Sequence, residues 1–392
     1  MKALSVGCIL LCFFLCGLAL LPQIVQATNT VTATIPIPHY AFALAITPNG
    51  KYAYVPELNN VAVISTATNN VAATVNVDGS NGIAITPNGK YAYVTRSVSN
   101  PKTGTTNSVA EISTSTNKVT ATIRLGGFPN GVAITPNGEY AYIAEGYQLN
   151  GNIGLVSVIS TATNKVMTTI TVEGSSQAVA ITPNGEYAYV ASSGSLSNGT
   201  VSVINTSTDT VATTVTVGIG TQSVAITPDG AYVYVTNGGS DSVSVIGTAT
   251  NTLTTTITGL IQPYGVALTP NGEYAYVTEQ DLDNRLGLAS VISTATNAVT
   301  TTIPLVAFPY DVAITPNGAY AYIANGSNST VSVISTGTDT GPTSSSSPAT
   351  PEFPAQSLTI MLLVSVILVL SIVIIAKKKA GKSNPTKINT KT

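Results

Sequence analysis

The chain has 392 residues, of which 44% are hydrophobic and only 8% charged, with a net charge of −2. So little charge, tilted to the acidic side, leaves no basic face to hold a phosphate backbone and argues against a nucleic-acid partner. A single histidine, His39, and three cysteines confined to Cys8, Cys12 and Cys16 exclude a histidine-rich metal centre, a disulfide framework and a thiol nucleophile beyond the N-terminal segment.

Residues 1–27 read as a secretory signal peptide. Lys2 supplies the charged start, Cys8 to Leu21 the apolar run, and Val25-Gln26-Ala27 the small-residue cleavage site. From residue 28 to 340 one phrase recurs. TPNG, once TPDG, places a proline at 48, 87, 136, 183, 228, 270 and 316. Each copy leads into a Tyr-x-Tyr-Val/Ile strand, then a VSVIST-like strand, then a V-x-A-T-I-x-V-like strand. A period of this length with several short strands per unit predicts an all-β fold, a seven-bladed β-propeller of four-stranded antiparallel blades. In the third unit, Val132–Ile134, Tyr140–Ile143, Val156–Ile159 and Val166–Val172 read as the four strands. Proline and Asn-Gly suit the tight turn between the first two. The tyrosine pairs of the repeats hold 14 of the chain's 18 tyrosines and read as packing between blades.

The count of fourth strands predicts how the ring closes. Such segments begin at Val31, Val71, Val119, Val166, Val211, Leu253 and Val299, so one precedes the first TPNG, and the last unit ends at Val331–Ser335 without its own. Pairing Val31–Ile35 with that last strand completes the seventh blade and removes an exposed edge. The whole phrase resembles the YVTN family of β-propeller repeats. That resemblance implies a propeller and a surface or surface-layer-like protein of archaeal type, and it says little about activity.

After the repeats the composition changes. Residues 341–356 are Ser/Thr/Pro-rich and read as a linker, 357–376 as a transmembrane helix, and 377–392 as a basic cytoplasmic tail opened by Lys377, Lys378 and Lys379. With Pro351, Glu352, Phe353 and Pro354 ahead of it, this tail resembles the PEF-CTERM sorting signal, which implies an archaeosortase as processing partner. Residues beyond the lysine cluster run longer than that pattern. Residues 28–356 carry a net charge of −9, in keeping with an extracellular location. Sequons at Asn198, Asn205, Asn325 and Asn328 are candidate glycosylation sites.

Loop variation falls on one face of the predicted ring. Second-to-third connections span 5 residues in the first unit (Pro56–Asn60) and 14 in the second (Thr95–Ser108), with long ones at 144–155 and 278–288. Alignment of the first strands places Phe42, Asn81, Asn130, Gln177, Gln222, Tyr264 and Tyr310 at one ring position. The small residues Ala43, Gly82, Gly131, Ala178, Ser223 and Gly265 follow, with Asp311 in the seventh unit. Amides beside aromatics suit a sugar; the commoner reading is that they tie blades together. His39, Phe128 and Phe308 lie near this rim. Glu279, Asp281 and Asp283, with Asn284, form a weak calcium candidate that lacks the glycine and terminal glutamate of an EF-hand loop. Glu111, standing where the other units have valine, calls for a partner if buried, with Arg96 and Arg124 as candidates.

No cofactor and no reaction are expected. The composition points to a non-catalytic cell-surface module that presents its variable face to glycans or envelope proteins. The alternatives are a lactonase-like extracellular enzyme, since the repeat also resembles lactonase-type propellers, and a passive rigid spacer.

Overall fold

Each TPNG turn is tied by its own side chains. Thr47 Oγ1 donates to Asn49 Oδ1 at 2.8 Å, and the same oxygen accepts from the Lys51 backbone N–H at 3.0 Å. Gly50 sits at φ +71°, a conformation that disfavours any residue with a Cβ. The computed structural model describes residues 29–100, 104–146, 153–194 and 197–337. Within them these turns join the inner and second strands of seven four-stranded antiparallel sheets. The seven blades expected from the repeats are all formed. Blade 1 shows the plan: Ala45–Ile46 innermost, then Tyr52–Pro56, Asn60–Ser65, and Asn70–Asn76 outermost.

Blade 7 is closed by the N-terminal segment. Thr30–Pro36 pairs antiparallel with Thr330–Ser335, running from Thr30 opposite Ser335 to Pro36 opposite Thr330. The joint carries a register shift between Val31 and Ala33, and the outer strand of every other blade is shifted at the corresponding place. The chain therefore treats the borrowed strand as an ordinary fourth strand. Seven apolar clusters fill the seven junctions between blades; the one at the seam packs Ile35, Tyr322, Val331 and Val333 against Val55 and Ile64.

The tyrosine pairs divide in two, which corrects the expectation that all of them pack between blades. The second of each pair is at most 1% exposed, whereas Tyr52 and Tyr232, first of their pairs, remain 40% and 44% exposed at the TPNG rim. Side chains two apart share a face of the strand, but the blade is deep enough to cover only the inner ring. Each buried hydroxyl then reaches the next blade. Tyr54 donates to Asn117, Tyr93 to Asn164, Tyr142 to Asp209, Tyr189 to Asn251, Tyr234 to Asn297 and Tyr322 to Asn69, at 2.5 to 2.8 Å. Those six acceptors hold φ between 52° and 55° at the corner before the outer strand, a left-handed position that Asn and Asp tolerate. In the seam blade the acceptor is Asn29, which takes the Tyr276 hydroxyl at 2.6 Å.

The chain separates into units Met1–Gly341 and Pro342–Thr392. The signal peptide, linker, sorting motif Pro351–Pro354, membrane helix and basic tail expected from the sequence lie outside the described residues. Among those described, no helix is long and apolar enough to cross a membrane.

Candidate functional site

At the upper end of the axis the ring residues aligned from the sequence come together. Phe42, Asn81, Asn130, Gln177, Gln222, Tyr264 and Tyr310 all line one cavity of about 270 Å³, and Asp311 joins them. What turns them toward the axis is a register shift at the start of the inner strand, seen between Ser80 and Ile83, Pro129 and Val132, Thr221 and Val224, and Pro263 and Val266. A bulge of this kind re-aims side chains. The small residue that follows is a matter of space. A Cβ on Gly82 would lie 2.3 Å from the Asn130 carbonyl oxygen, and one on Gly265 2.7 Å from that of Tyr310.

Threonines of the second strand fix the ring backbone. Thr95 Oγ1 accepts from Gly82 N–H at 2.7 Å and donates to the Asn130 carbonyl at 2.6 Å. Thr236 does the same for Ser223 and Tyr264, and Thr278 for Gly265 and Tyr310. Each thus links its own inner strand to the next blade's.

The mouth has two unlike sides. Blades 6, 7 and 1 contribute an aromatic arc, with Tyr264 and Tyr310 edge to face at 5.0 Å and Tyr310 and Phe42 at 5.6 Å. Blades 2 to 5 contribute an amide arc. Asn81 Nδ2 donates to Asn130 Oδ1 at 3.2 Å, Asn130 Nδ2 to the Ser176 carbonyl at 2.8 Å, and Gln177 Nε2 to the Ser175 carbonyl at 3.2 Å. The expectation that amides tie blades together holds for Asn81 and Asn130, the latter also reaching Gln177 Oε1 at 3.4 Å, whereas the Gln177 amide nitrogen bonds within its own strand. Gln222 is different: among the described residues its amide makes no hydrogen bond. Burial pushes the Tyr264 hydroxyl up to about 12, with Tyr310 and Asp311 adding to the shift, so it stays a donor at any physiological pH.

Asp311 is the one charge in the cavity. Its Oδ2 accepts from Leu44 N–H at 3.0 Å and its Oδ1 from Val312 N–H at 2.9 Å, while burial outweighs both and raises its pKa to about 6. The carboxylate thus spends both oxygens on the backbone of blades 1 and 7.

One shell outward stands a second ring that the sequence alignment passed over, the position five residues after the first tyrosine of each pair, at or near the end of the second strand. Glu57, Glu145 and Glu279 occupy it in blades 1, 3 and 6, and each is at most 2% exposed. Each places Oε2 on a backbone N–H of the connection arriving from the previous blade: His39 at 3.0 Å, Gly127 at 2.5 Å and Ile261 at 2.6 Å. The other oxygen of each finds no partner among the described residues. In blades 5 and 7 the position is Asn237 and Asn325, whose amides donate to hydroxyls of the third strand. In blade 4 it is Ser192, and there the buried hydroxyls of Ser176, Ser192 and Ser202 are all without partners among the described residues. The signal was present in the sequence as an acidic residue recurring after the Tyr-x-Tyr strand.

Burial raises Glu57 to about 7 against the opposing pull of the His39 N–H and Asn60, and raises Glu279 as well. The folded chain then holds these protons more tightly than the unfolded one. Stability tied to Glu57 is fully present below the ordinary value of 4.5 and is lost as pH rises to about 7. Thermal unfolding measured across that window should show a melting temperature that falls with rising pH, and Glu57→Gln should flatten the slope. An unchanged slope in that variant would assign the effect elsewhere.

Several sequence expectations are corrected here. Glu279 and Asp281 do not assemble with Asp283 into a calcium set: Glu279 is turned onto Ile261, and Asp281 accepts from the Asn284 backbone and side-chain nitrogens at 2.9 and 2.8 Å. Among the described residues no three His, Cys, Asp or Glu side chains are placed to hold a metal ion. Glu111 accepts from Thr120 at 2.6 Å and lies 3.0 Å from the Tyr93 hydroxyl, whose one proton it shares with Asn164, and it is not paired with Arg96 or Arg124. Asn325 is fully buried with its amide engaged, so the folded blade leaves no room for a glycan there. Asn198 and Asn328 are exposed, and Asn205 is half-buried with Oδ1 accepting from Ser207. The long connections of blades 2 and 6 are mostly strand among the described residues. In blade 2 the ladder runs out to Asn100 opposite Gly104, and in blade 6 to Asp281 opposite Leu286. In blade 2, Thr, Ser and Val recurring along both strands sustain the pairing where a loop was expected. His39 is half-buried and serves through its backbone, while Phe128 stands exposed on the rim and Phe308 is half-buried beside it.

Residues 188–289 match the YNCE-like beta-propeller family, a stretch that is a minority of the chain. No curated protein matches it. Among solved structures it is similar to a chain of Kuenenia stuttgartiensis hydrazine synthase, with a TM-score of 0.66 and 21% identity over 80% of this chain and 99% of that one. At that identity the likeness is one of fold.

Proposed function

We propose that this propeller is a non-catalytic cell-surface interaction module, exported by its signal peptide and held by its C-terminal helix. In this reading the surface-layer-like, archaeal character follows the YVTN resemblance, and an archaeosortase acts on the Pro351–Pro354 motif. The observation that carries the reading is the two-sided cavity at one end of the axis. It lies on the face where hairpin length varies, and it holds one carboxylate already committed to backbone. The described chain enters at Asn29 and leaves beyond Ser335, both on the opposite, TPNG face.

The rival is an extracellular enzyme. Its support is that propellers of this general fold include a hydrazine synthase chain. Acid, base or metal chemistry asks for converging groups, and Asp311 stands alone in the cavity.

Labelling of intact cells with a membrane-impermeant amine reagent tests location and anchoring together. Lys51 and Lys90, exposed beside the TPNG turns, should react on whole cells. Lys377–Lys379, if retained in the mature protein, should react only after permeabilisation. Protection of Lys51 and Lys90 in whole cells would overturn the reading.

A further inference from the structure

We infer that the axial cavity binds one neutral pyranose unit, its apolar ring face against the Phe42–Tyr310–Tyr264 arc and its hydroxyls on Gln222 and the two tyrosine hydroxyls. The inference rests on the surface-module reading and names the ligand class of that site.

Three observations lead there. The first is size: about 270 Å³ lies just under the usual range for pockets that hold drug-sized ligands, which fits a single six-membered ring. The second is the division of the wall. A sugar ring has a C–H face that packs on aromatic carbon and an equator of hydroxyls that need donors and acceptors. The aromatic arc and the amide arc supply those from opposite sides. The third is what is left unspent. Asn81 and Asn130 pass hydrogen bonds along the ring as far as Gln177, whose amide nitrogen is held by Ser175 of its own strand, so this arc is pre-organised. Among the described residues the Gln222 amide and the hydroxyls of Tyr264 and Tyr310 make none, and these three come from the consecutive blades 5, 6 and 7.

Other ligand classes fit less well. No lysine or arginine lines the cavity, and its one charge is negative, so an anion has nothing to hold it. A quaternary ammonium ion wants separated aromatic walls around it. Here the rings pack edge to face on one another at 72° and 86°, and Asp311 is turned to the backbone. Neither alternative gives the Gln222 amide a task.

Saturation-transfer difference NMR on the full chain tests the assignment. The probes are the methyl glycosides of glucose, galactose, mannose and N-acetylglucosamine, with glucuronate and choline as the charged comparisons. At least one neutral glycoside should receive saturation, strongest on the C–H protons of one ring face. Gln222→Ala and Tyr264→Phe should each weaken it about three- to tenfold, the worth of one neutral hydrogen bond. Both groups are unpaired in the free protein, so the variants should melt with the parent, which separates lost contact from lost fold. Silence from all four glycosides, binding of choline or glucuronate alone, or signals indifferent to both substitutions would overturn the assignment. Silence together with whole-cell labelling of Lys51 and Lys90 removes the sugar and leaves the surface module standing. A glycoside that binds a protein found inside the cell does the reverse.

Discussion

A chain lacking residues 29–37 should lose its sharp thermal transition. That segment supplies a complete outer strand, from Thr30 opposite Ser335 to Pro36 opposite Thr330. It also carries Ile35 and Ile37, 3% and 7% exposed, into the junction of blades 7 and 1. Burying an isoleucine is worth about 1.5–3 kcal/mol, so the two together approach the lower end of the roughly 5–15 kcal/mol by which a domain is stable. The ladder to Thr330–Ser335 and the Asn29 acceptor for Tyr276 go with them. The bared strand then offers unpaired backbone to other chains, and aggregation should accompany the loss. Differential scanning calorimetry measures the first effect and light scattering the second. A truncated chain that melts as the parent does would remove the case for ring closure. Ile35→Val, which keeps the strand and deletes one methylene, should cost only about 0.5–1.5 kcal/mol.

The second large effect is expected at Tyr142. Its ring is 1% exposed between blades 3 and 4, and its hydroxyl donates to Asp209 Oδ1 at 2.6 Å. Tyr142→Ala removes an aromatic from a packed junction and should cost about 3–5 kcal/mol. Tyr142→Phe keeps the ring and isolates the hydrogen bond, worth about 1.5–3 kcal/mol with a charged acceptor. The matching change at Tyr189, whose acceptor Asn251 is neutral, should cost about 0.5–1.5 kcal/mol. Denaturant titrations of the three variants give the comparison. Equal costs for the two Tyr→Phe changes would show that the charge on Asp209 adds nothing to the clasp.

What the sequence made legible was whatever repeats with a local cause. TPNG dictates its own turn, and alternation of Tyr with small residues dictates a strand, so blade number and closure followed from counting. The axial ring was legible too, because seven aligned positions reach the same place by symmetry. Less visible was anything decided by pairing across the sheet. The bulges that aim Asn81 or Tyr264 inward are register shifts, and register is set by two strands together. Glu111 was recognised as exceptional, yet its partners Tyr93 and Thr120 lie on the flanking strands, not among the arginines that charge alone suggested. Glu279 was grouped with Asp281 and Asp283 by nearness in sequence, whereas its kinship is with Glu57 and Glu145, which share its place in the blade. Asn29 stands two residues before Val31 as Asn69 stands two before Val71, so its role as the seventh tyrosine acceptor could have been read from the alignment.

The strand from which the chain departs, Thr330–Ser335, is not an edge. Thr30–Pro36 flanks it on one side and Tyr320–Asn325 on the other. A pull transmitted through the C-terminal side therefore loads two hydrogen-bond ladders at once and drags the strand lengthwise, instead of peeling it open rung by rung. The borrowed strand that seals the circle also braces the point where such a pull would enter the ring.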